Sequence, residues 1–487
     1  MRWHANPTIQ QDRNDSDFAR RRWGSRTGRP STNRSRGLAA RAPFGLIPSS
    51  SWGWILVTLL VGLVASASFA QPVPPIPPVP VPPANPITPE KAVLGKILFW
   101  DQQLSSDQTV ACGTCHLTEF GGGDPVLGAH PGADGFFGTP DDVNGSLGVV
   151  HRDVQGVAVN DPIFGFGRQV TDRSSPNFFG GLWDPESFWD GRASSAFDDP
   201  ITGVNLIPIG GTLESQSIAP ILNSIEMARD GRTWTSVTTR LAGVKPLALA
   251  SALPADVVTA LATSPSYPDL FIAAFGTADI TPARIGFAIA TYERTLVADQ
   301  TPWDAFMKGS GTALTPNQQD GWNFFQTSPC ATCHAPPLFS TPRFESVGLR
   351  DVNDDIGRAV VTGAPTDRGL FKVPTLRNAA LKVGVMHTGE FSTMLDVVRF
   401  YQPAGLHFPT NLSPQIPILI PPTAEAPLVD FLENGLIDPR VAAGLAPFDR
   451  PILAVPEPVR VELLAVGALA LSVLEGLRAR RRRPVVF

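Results

Sequence analysis

Cysteine, tyrosine and methionine are scarce in this chain of 487 residues, which contains four, three and five of them. A basic surplus is missing too: residues 71–458 hold 23 basic and 39 acidic residues, a formal charge of −16. Such an acidic body repels nucleic acid and attracts basic partners at low salt. The apolar run at 54–65 is shorter than the ~20 residues that a membrane-spanning helix needs. The composition therefore disfavours both nucleic-acid binding and an integral membrane protein.

Residues 1–70 have the order of a secretory signal. An Arg-rich region at 1–50 precedes the apolar run, and the small residues Ser68 and Ala70 follow it. We expect cleavage after Ala70, so that the mature chain is exported to the periplasm or the cell surface. A membrane anchor is the alternative interpretation of the same run.

Most of the remaining chain is predicted to be helical. Residues 71–89 form a Pro-rich linker that spans roughly 60 Å when extended, and we expect it to stay outside any core. Three helix starts share one pattern, in which an N-cap threonine (Thr88, Thr281 or Thr315) precedes a proline. Strand signals are few, and the Gly-, Asp- and Pro-rich segment 121–170 is predicted to form long loops.

The four cysteines lie in two CxxCH motifs, Cys112–His116 and Cys330–His334. Two thiols on one helical turn can each form a thioether with a haem vinyl group, and the adjacent histidine then binds the iron. A redox dithiol or a zinc site built from all four thiolates are the alternatives. Neither of them requires a histidine after each pair, so the spacing favours two covalently bound haem c groups.

Further motifs occur around these two in a fixed order. They are Leu94–Asp101, Ser175–Asn177, Phe188–Ala193, Leu213–Gln216, Tyr292–Thr295, Val373–Asn378, His387–Gly389 and Val397–Tyr401. Over roughly 90–435, with insertions at about 121–160 and 197–212, this order resembles the bacterial di-haem cytochrome c peroxidase and MauG family.

The resemblance implies a mainly α protein with two cytochrome c-like haem domains, which have long loops and pack against each other. Residues 90–275 would form the N-terminal peroxidatic domain, with its haem on His116. Residues 276–450 would form the C-terminal electron-transfer domain, with its haem on His334.

The resemblance also assigns catalytic roles. Gln216 and Glu226 match the pair that lines the peroxide side of the first haem, and Trp189 matches the aromatic residue between the haems. A carboxylate beside the iron can take a proton from bound peroxide and return it to the leaving oxygen, so Glu226 is the predicted proton shuttle. The alternatives are a solvated Glu226, a capping Gln216 and a Trp189 that serves only as core.

The iron ligands opposite the two histidines differ in their expected chemistry. Where some relatives carry a distal histidine, this chain has Phe166, which predicts an open first iron unless His130 or His151 replaces it. Tyr401 stands where many peroxidases have methionine and MauG has tyrosine. It is the predicted second ligand of the haem on His334, with Met386 or Met394 as alternatives.

A calcium ion lies between the haem domains of the family, and this chain departs from the pattern of its ligands. The matching positions are Ser174, Lys382 and Gly384, which disfavours calcium, and we hypothesise that Lys382 supplies the missing positive charge. An acidic loop, which contains Asp134, Asp141, Asp142 and Asn144, fits no complete EF-hand pattern and is predicted to be an ordinary polar loop.

The C-terminal end resembles a PEP-CTERM sorting signal at 455–487, with Val-Pro-Glu-Pro followed by an apolar run and an arginine cluster. This implies exosortase-type processing, with a tail anchor or a terminal helix as the alternatives. The predicted activity is hydrogen peroxide reduction with electrons from a small redox protein, either a cytochrome c or a cupredoxin. A MauG-like oxidation of residues in a partner protein and a non-catalytic electron carrier remain the other two hypotheses.

Overall fold

The computed structural model describes residues 75–453. The predicted secretory signal and sorting signal lie outside this range. Within it, no helix combines the length and the apolar character needed to cross a lipid bilayer.

Helices dominate the described part of the chain, and four small antiparallel sheets accompany them. The helices of the first half are α1 Pro89–Trp100, α2 Cys112–Cys115, α3 Thr212–Ile218, α4 Trp234–Gly243, α5 Ala255–Thr263, α6 Tyr267–Phe275 and α7 Pro282–Glu293. Those of the second half are α8 Pro302–Met307, α9 Pro316–Thr327, α10 Cys330–Cys333, α11 Ala359–Thr362, α12 Met394–Phe400, α13 Pro422–Asp430 and α14 Pro439–Ala442. The strands are β1 Leu127–His130, β2 Val143–Val150, β3 Arg168–Val170, β4 Phe197–Asp198, β5 Asn205–Ile207, β6 Ala250–Ala252, β7 Phe344–Glu345, β8 Phe371–Lys372 and β9 Ile452–Leu453.

The three predicted helix starts are confirmed. Thr88, Thr281 and Thr315 are N-caps of α1, α7 and α9, and each side chain accepts a hydrogen bond from a backbone N–H in the first turn. Proline follows each cap, where its missing N–H costs nothing because the first helical N–H groups have no partner within the helix. The helix expected around Leu428 is also present, as α13.

The first hydrophobic core surrounds the packing of α1 against α7. Leu94, Ile97 and Leu98 of α1 are fully buried, as are Ile285 and Ile289 of α7. Around them lie apolar residues of α4, α5 and α6. The two helices approach so closely that a Cβ at Gly95 would lie 1.9 Å from the Ala288 carbonyl oxygen.

The second hydrophobic core is built mainly on aromatic rings of α8, α9 and the π-helical turn Phe431–Gly435. Trp303, Trp322 and Phe339 form edge-to-face contacts, with ring centroids 4.7–6.1 Å apart. Cys330 packs against this core, whereas Cys112 packs against the first.

Each core thus contains one CxxCH motif, but the cores do not follow the predicted division at residue 275. Helix α7, placed by prediction in the C-terminal domain, packs in the first core because its apolar face meets α1. The chain also returns late to the first core with Val441 and Phe448. The boundaries of two haem domains therefore stay a prediction.

The prediction of long loops for 121–170 is wrong in part. Strands β1, β2 and β3 form a three-stranded antiparallel sheet in the order β1-β2-β3. The glycines that suggested loops are what allow close backbone contacts here. A Cβ at Gly145 would lie 1.9 Å from the Thr171 carbonyl oxygen, so only glycine fits.

The prediction that the Pro-rich segment lies outside any core is wrong for its described residues, 75–89, which pack against the rest of the protein. Asn85 is fully buried, and its amide donates hydrogen bonds to Glu214 and to the Phe287 carbonyl. The Pro80 carbonyl accepts a hydrogen bond from Arg294. Because proline leaves carbonyl acceptors free and lacks N–H groups, this extended segment can satisfy buried donors without a paired strand.

Substitution of Gly95 tests the packing of α1 against α7. We expect Gly95→Ala to lower the free energy of unfolding by about 1–3 kcal/mol, because the added methyl group overlaps the Ala288 carbonyl. Gly243→Ala is the control, since nothing lies within 4 Å of the Cβ that it would add. Urea unfolding followed by circular dichroism measures both, and equal stabilities of the two variants would contradict the close contact.

Candidate functional site

The first CxxCH motif forms a single helical turn, α2, which is packed directly against α1. A Cβ at Gly113 would lie 2.2 Å from the Trp100 ring, so the residue after Cys112 must be small. Ser175 donates a hydrogen bond to the Cys115 carbonyl at 2.9 Å and accepts one from the Asp124 N–H at 3.0 Å. These contacts fix the turn that carries both thiols.

His116 is oriented by a backbone carbonyl. Its Nδ1 lies 3.0 Å from the Gly122 carbonyl oxygen, which is brought there by left-handed glycines at 121 and 122. With Nδ1–H donating to a carbonyl, the lone pair remains on Nε2, the tautomer that binds a metal. Burial lowers the pKa of His116, which also favours the neutral ring.

The predicted peroxide-side residues meet this motif in one cavity, which we call the first cavity. Gln216 of α3 and Glu226, which follows the turn Pro220–Leu222, line it together with Cys112, Cys115 and His116. The free space is about 480 Å³, within the range of small-molecule sites. Helices α2, α3 and α7 and the loop of Glu226 therefore build one wall around the thiols.

Glu226 is a carboxylic acid in a largely apolar wall. Its carboxyl group makes no hydrogen bond within residues 75–453, while its backbone N–H donates to Asn223. Burial raises the pKa of Glu226, and the positive charge of Arg192 partly offsets this. A raised pKa places the group nearer neutral pH, where it can both accept and release a proton.

The sheet β1-β2-β3 supports the segment that carries Glu226. The Val149 N–H donates to the Ile225 carbonyl at 3.0 Å, and Gln169 donates to the Ser224 carbonyl at 2.8 Å. Gly148 permits this contact, since a Cβ there would lie 1.8 Å from the Ile225 oxygen. The insertion in the sequence thus fixes the backbone next to the candidate proton shuttle.

The second CxxCH motif, α10, repeats the same local design with different residues. Thr341 donates a hydrogen bond to the Cys333 carbonyl at 2.8 Å, as Ser175 does to Cys115. Nδ1 of His334 lies 3.0 Å from the Pro374 carbonyl oxygen. Burial lowers the pKa of His334 to about 4, so that its ring is neutral.

A larger and more apolar cavity, the second cavity, opens beside Cys330, Cys333 and His334. Its free space is about 1390 Å³ including its mouth, more than most small-molecule pockets have. Tyr401, Met386 and Met394, the three predicted alternatives for the second iron ligand, all line it. The position of Tyr401 as ligand therefore stays a prediction. Burial, together with the nearby Cys330 and Cys333 thiols, raises the pKa of the Tyr401 phenol.

Trp189 lies between the two motifs. Its side chain lines the second cavity and also a cleft beside His116 that contains Gln216. The indole N–H donates to the Ser174 carbonyl at 2.7 Å, which fixes the ring. Its role as the aromatic residue between two haems stays a prediction.

Lys382 is buried between the same two regions. Its Nζ donates to the Ser175 carbonyl at 2.6 Å, and its side chain also lines the second cavity. Burial lowers the pKa of Lys382 to about 8, while Asp124 acts in the opposite direction. The positive charge therefore points into the protein rather than to solvent.

The other predicted histidine and phenylalanine positions lie elsewhere. Phe166 is 67% exposed and is not in the wall of the first cavity. His151 lies between Asp161 and Asp230, at 3.0 and 3.3 Å, and His130 packs against Phe164. In the described part of the chain, His116 is the one histidine that lines the first cavity. The open first iron stays a prediction.

His387 stacks on Phe371 with ring centroids 3.7 Å apart and lines the second cavity. Its Nε2 is buried without a hydrogen-bond partner among residues 75–453. Burial lowers the pKa of His387 to about 3, so the ring is neutral.

Both cavities fit a covalently attached haem. Each joins two adjacent thiols to a histidine whose Nδ1 is held by a backbone carbonyl, and each has apolar walls. Zinc does not fit, because residues 75–453 contain no cluster of three or more histidine, cysteine or acidic side chains suited to a metal ion.

In the acidic loop, the Asp141 carboxylate accepts hydrogen bonds from Thr139 and from the Asp134 N–H.

One residue of the first cavity had no role in the sequence prediction. Glu293 ends α7 and lines the cavity together with Gln216 and Glu226. The motif Tyr292–Thr295 was the signal in the sequence, but it does not tell which of its side chains faces the cavity.

Comparison with known proteins shows which proteins this chain is similar to. Residues 89–312 match the family model for di-haem cytochrome c peroxidase. Cytochrome c551 peroxidase of Nitrosomonas europaea is 28% identical over 350 residues, which are 70% of this chain and 83% of that protein. The methylamine utilization protein MauG of Methylorubrum extorquens is 28% identical over 356 residues, 72% of this chain and 80% of its own.

Two solved structures share the fold. A MauG-like protein associated with microbial copper homeostasis has a TM-score of 0.52 at 23% identity. The match covers 82% of this chain and 98% of that protein's chain. The di-haem peroxidase BthA of Burkholderia thailandensis has a TM-score of 0.50 at 19% identity. The match covers 76% of this chain and 91% of that protein's chain.

Proposed function

We propose that this chain, which is similar to the di-haem cytochrome c peroxidases, is an exported di-haem c-type peroxidase that reduces hydrogen peroxide with electrons from an external donor. The haems would be attached at Cys112 and Cys115, and at Cys330 and Cys333. The observation that carries the proposal is the presence of Glu226 and Gln216 in one cavity with the first CxxCH motif.

The overall reaction consumes one hydrogen peroxide, two electrons and two protons and yields two water molecules. His116 would hold a haem, whose iron would supply the site for peroxide binding and electron exchange. Glu226 would take the proton from the nearer peroxide oxygen and deliver it to the farther one, so that water leaves. Gln216 has an amide that can donate a hydrogen bond to peroxide or water and hold it in place.

Electrons would enter through the haem on His334, with Trp189 between the two haems. The donor would be a small redox protein, a cytochrome c or a cupredoxin. A basic face on that donor fits the acidic body of this chain, whose residues 71–458 have a formal charge of −16. The exported location and exosortase-type processing are part of the same proposal.

A MauG-like activity is the second candidate, in which oxidising equivalents are passed to residues of a partner protein. It is favoured by Tyr401, because an anionic oxygen ligand stabilises ferric iron and iron in higher oxidation states. A non-catalytic electron carrier is the third candidate. It requires both irons to be six-coordinate and low-spin, at rest and after mild reduction.

Glu226→Gln tests the peroxidase. We expect peroxide turnover with small dyes to fall by about 10²–10⁴-fold, because the amide cannot take the proton. The wild-type rate should decline as the pH falls through the raised pKa of Glu226, because protonation removes the base, and the variant should lack this decline. Glu433→Gln, the same change on the turn Phe431–Gly435 and outside the first cavity, is the control. Mass spectrometry must first find two covalent haems; equal rates in a fully loaded Glu226→Gln protein would reject Glu226 as the shuttle.

Tyr401→Phe tests the second iron ligand. The change removes only the hydroxyl group, so we expect the spectrum of the second haem to change and its reduction potential to rise. Met386→Leu and Met394→Leu are the controls and should leave both properties unchanged. If one methionine variant produces the change instead, that methionine is the ligand and the MauG-like candidate loses its support.

Chelation tests the proposal that Lys382 replaces a calcium ion. We expect prolonged EGTA treatment and added calcium to leave wild-type turnover unchanged. Lys382→Met should be destabilised by about 1–3 kcal/mol in urea unfolding, since it leaves the buried Ser175 carbonyl without its donor. Lys308→Met, at an exposed lysine, is the control. A wild-type enzyme that loses activity in EGTA and regains it with calcium would overturn the proposal.

A further inference from the structure

Glu293 is a buried carboxyl group with an unpartnered oxygen. The residue is only 3% exposed, and its Oε2 has no hydrogen-bond partner among residues 75–453. Its neighbours in sequence are both satisfied: Tyr292 accepts a hydrogen bond from Trp100, and Arg294 forms two hydrogen bonds with Glu214, at 2.7 and 2.9 Å. The nearest cation in sequence is therefore already paired with another carboxylate.

The position of Glu293 directs it to the first cavity. It lies one helical turn after Ile289, and both side chains line that cavity. The negative charge of Glu293 is the largest electrostatic contribution to the raised pKa of the Cys112 thiol, after burial. The carboxyl group therefore lies close to the edge at which a haem would be attached.

An unpaired carboxylate is costly in an apolar wall, and a protonated carboxyl is much less so. Burial accordingly raises the pKa of Glu293 to about 8. The charge of the group then depends on the charge next to it, because Coulomb interactions in a low-dielectric interior are strong. The charged or titratable side chains around it are Arg294 and Glu214, which are paired with each other, and Cys112, His116 and Glu226 of the cavity wall.

We propose that Glu293 is a redox-linked proton site of the first haem. Addition of one electron to that haem would be accompanied by transfer of one proton from water to the Glu293 carboxylate, which becomes a carboxylic acid. Oxidation by hydrogen peroxide or by an electrode would return the electron to that oxidant and the proton to water. The electron comes from the external donor or from an electrode. By linkage, the electron strengthens proton binding and the proton strengthens electron binding to the same extent.

The inference rests on covalent haem attachment as proposed above, but it does not require peroxide turnover. In the test, spectroelectrochemistry measures the reduction potential of the first haem over a range of pH. The range extends from below to above the pKa of Glu293, which burial raises to about 8. The first haem is identified by the step that disappears in Cys112→Ala/Cys115→Ala. If one proton is bound per electron, the equilibrium constant for reduction changes at most tenfold per pH unit, which corresponds to a change of about 59 mV in the reduction potential.

We expect the wild-type potential to fall as the pH rises through this range, because the carboxylate stabilises the ferric state. Glu293→Gln should remove most of the slope, whereas Glu90→Gln, an exposed glutamate on α1, should retain it. Glu226→Gln should retain it too. A flat wild-type profile, an unchanged slope in Glu293→Gln, or loss of the slope only in Glu226→Gln would overturn the proposal.

A second measurement covers the case in which Glu293→Gln does not load haem. Infrared difference spectra of the wild type should gain a carboxylic acid C=O band on reduction, and Glu293→Asp should shift that band. If no such band forms in the wild type, Glu293 is not the proton site. A wild-type protein without covalent haem would instead contradict the proposed function itself, so the two failures are distinct.

Discussion

The hydrogen bond from a buried histidine to a backbone carbonyl is the interaction on which both sites depend. His116 donates to Gly122 and His334 donates to Pro374, at 3.0 Å in each case. Each bond fixes the tautomer and directs Nε2 to the cavity beside the two thiols. The left-handed glycines, the hydroxyl contacts to Cys115 and Cys333, and the packing of each turn on its core all serve to hold this geometry.

Charge is distributed unequally around these two equivalent motifs. The first cavity has two carboxyl groups, Glu226 and Glu293, whereas the second has one, Glu345, beside the Tyr401 phenol and the Met386 and Met394 thioethers in a largely apolar wall. Carboxyl groups with raised pKa values can exchange protons near neutral pH, and a phenol or thioether there cannot. The proton transfer proposed for peroxide reduction is therefore assigned to the first cavity, where both carboxyl groups have raised pKa values. Lys382 places one positive charge between the two cavities.

Features set by local sequence could be predicted. The CxxCH motifs and the threonine caps of α1, α7 and α9 can be recognised from neighbouring residues, and the family resemblance supplied the positions of Glu226, Gln216 and Trp189, whose roles stay predictions. Features set by distant contacts could not. Gly145 and Gly148 look like loop residues, yet they allow backbone contacts to Thr171 and Ile225 that complete a sheet. Asn85 lies in a proline-rich stretch, and only its contact with Glu214 places it in the interior.

Glu226 and Glu293 are held by different parts of the fold, which fits the different roles proposed for the two carboxyl groups. Both line the first cavity together with Cys112. Two carboxylates sharing one low-dielectric site cannot both be ionised easily, so a proton on one lowers the pKa of the other. Glu293 ends a rigid helix packed on α1, whereas Glu226 follows a short turn supported by the inserted sheet. The proton that Glu293 is proposed to bind on reduction would therefore favour an ionised Glu226, the state in which it can accept a proton from peroxide.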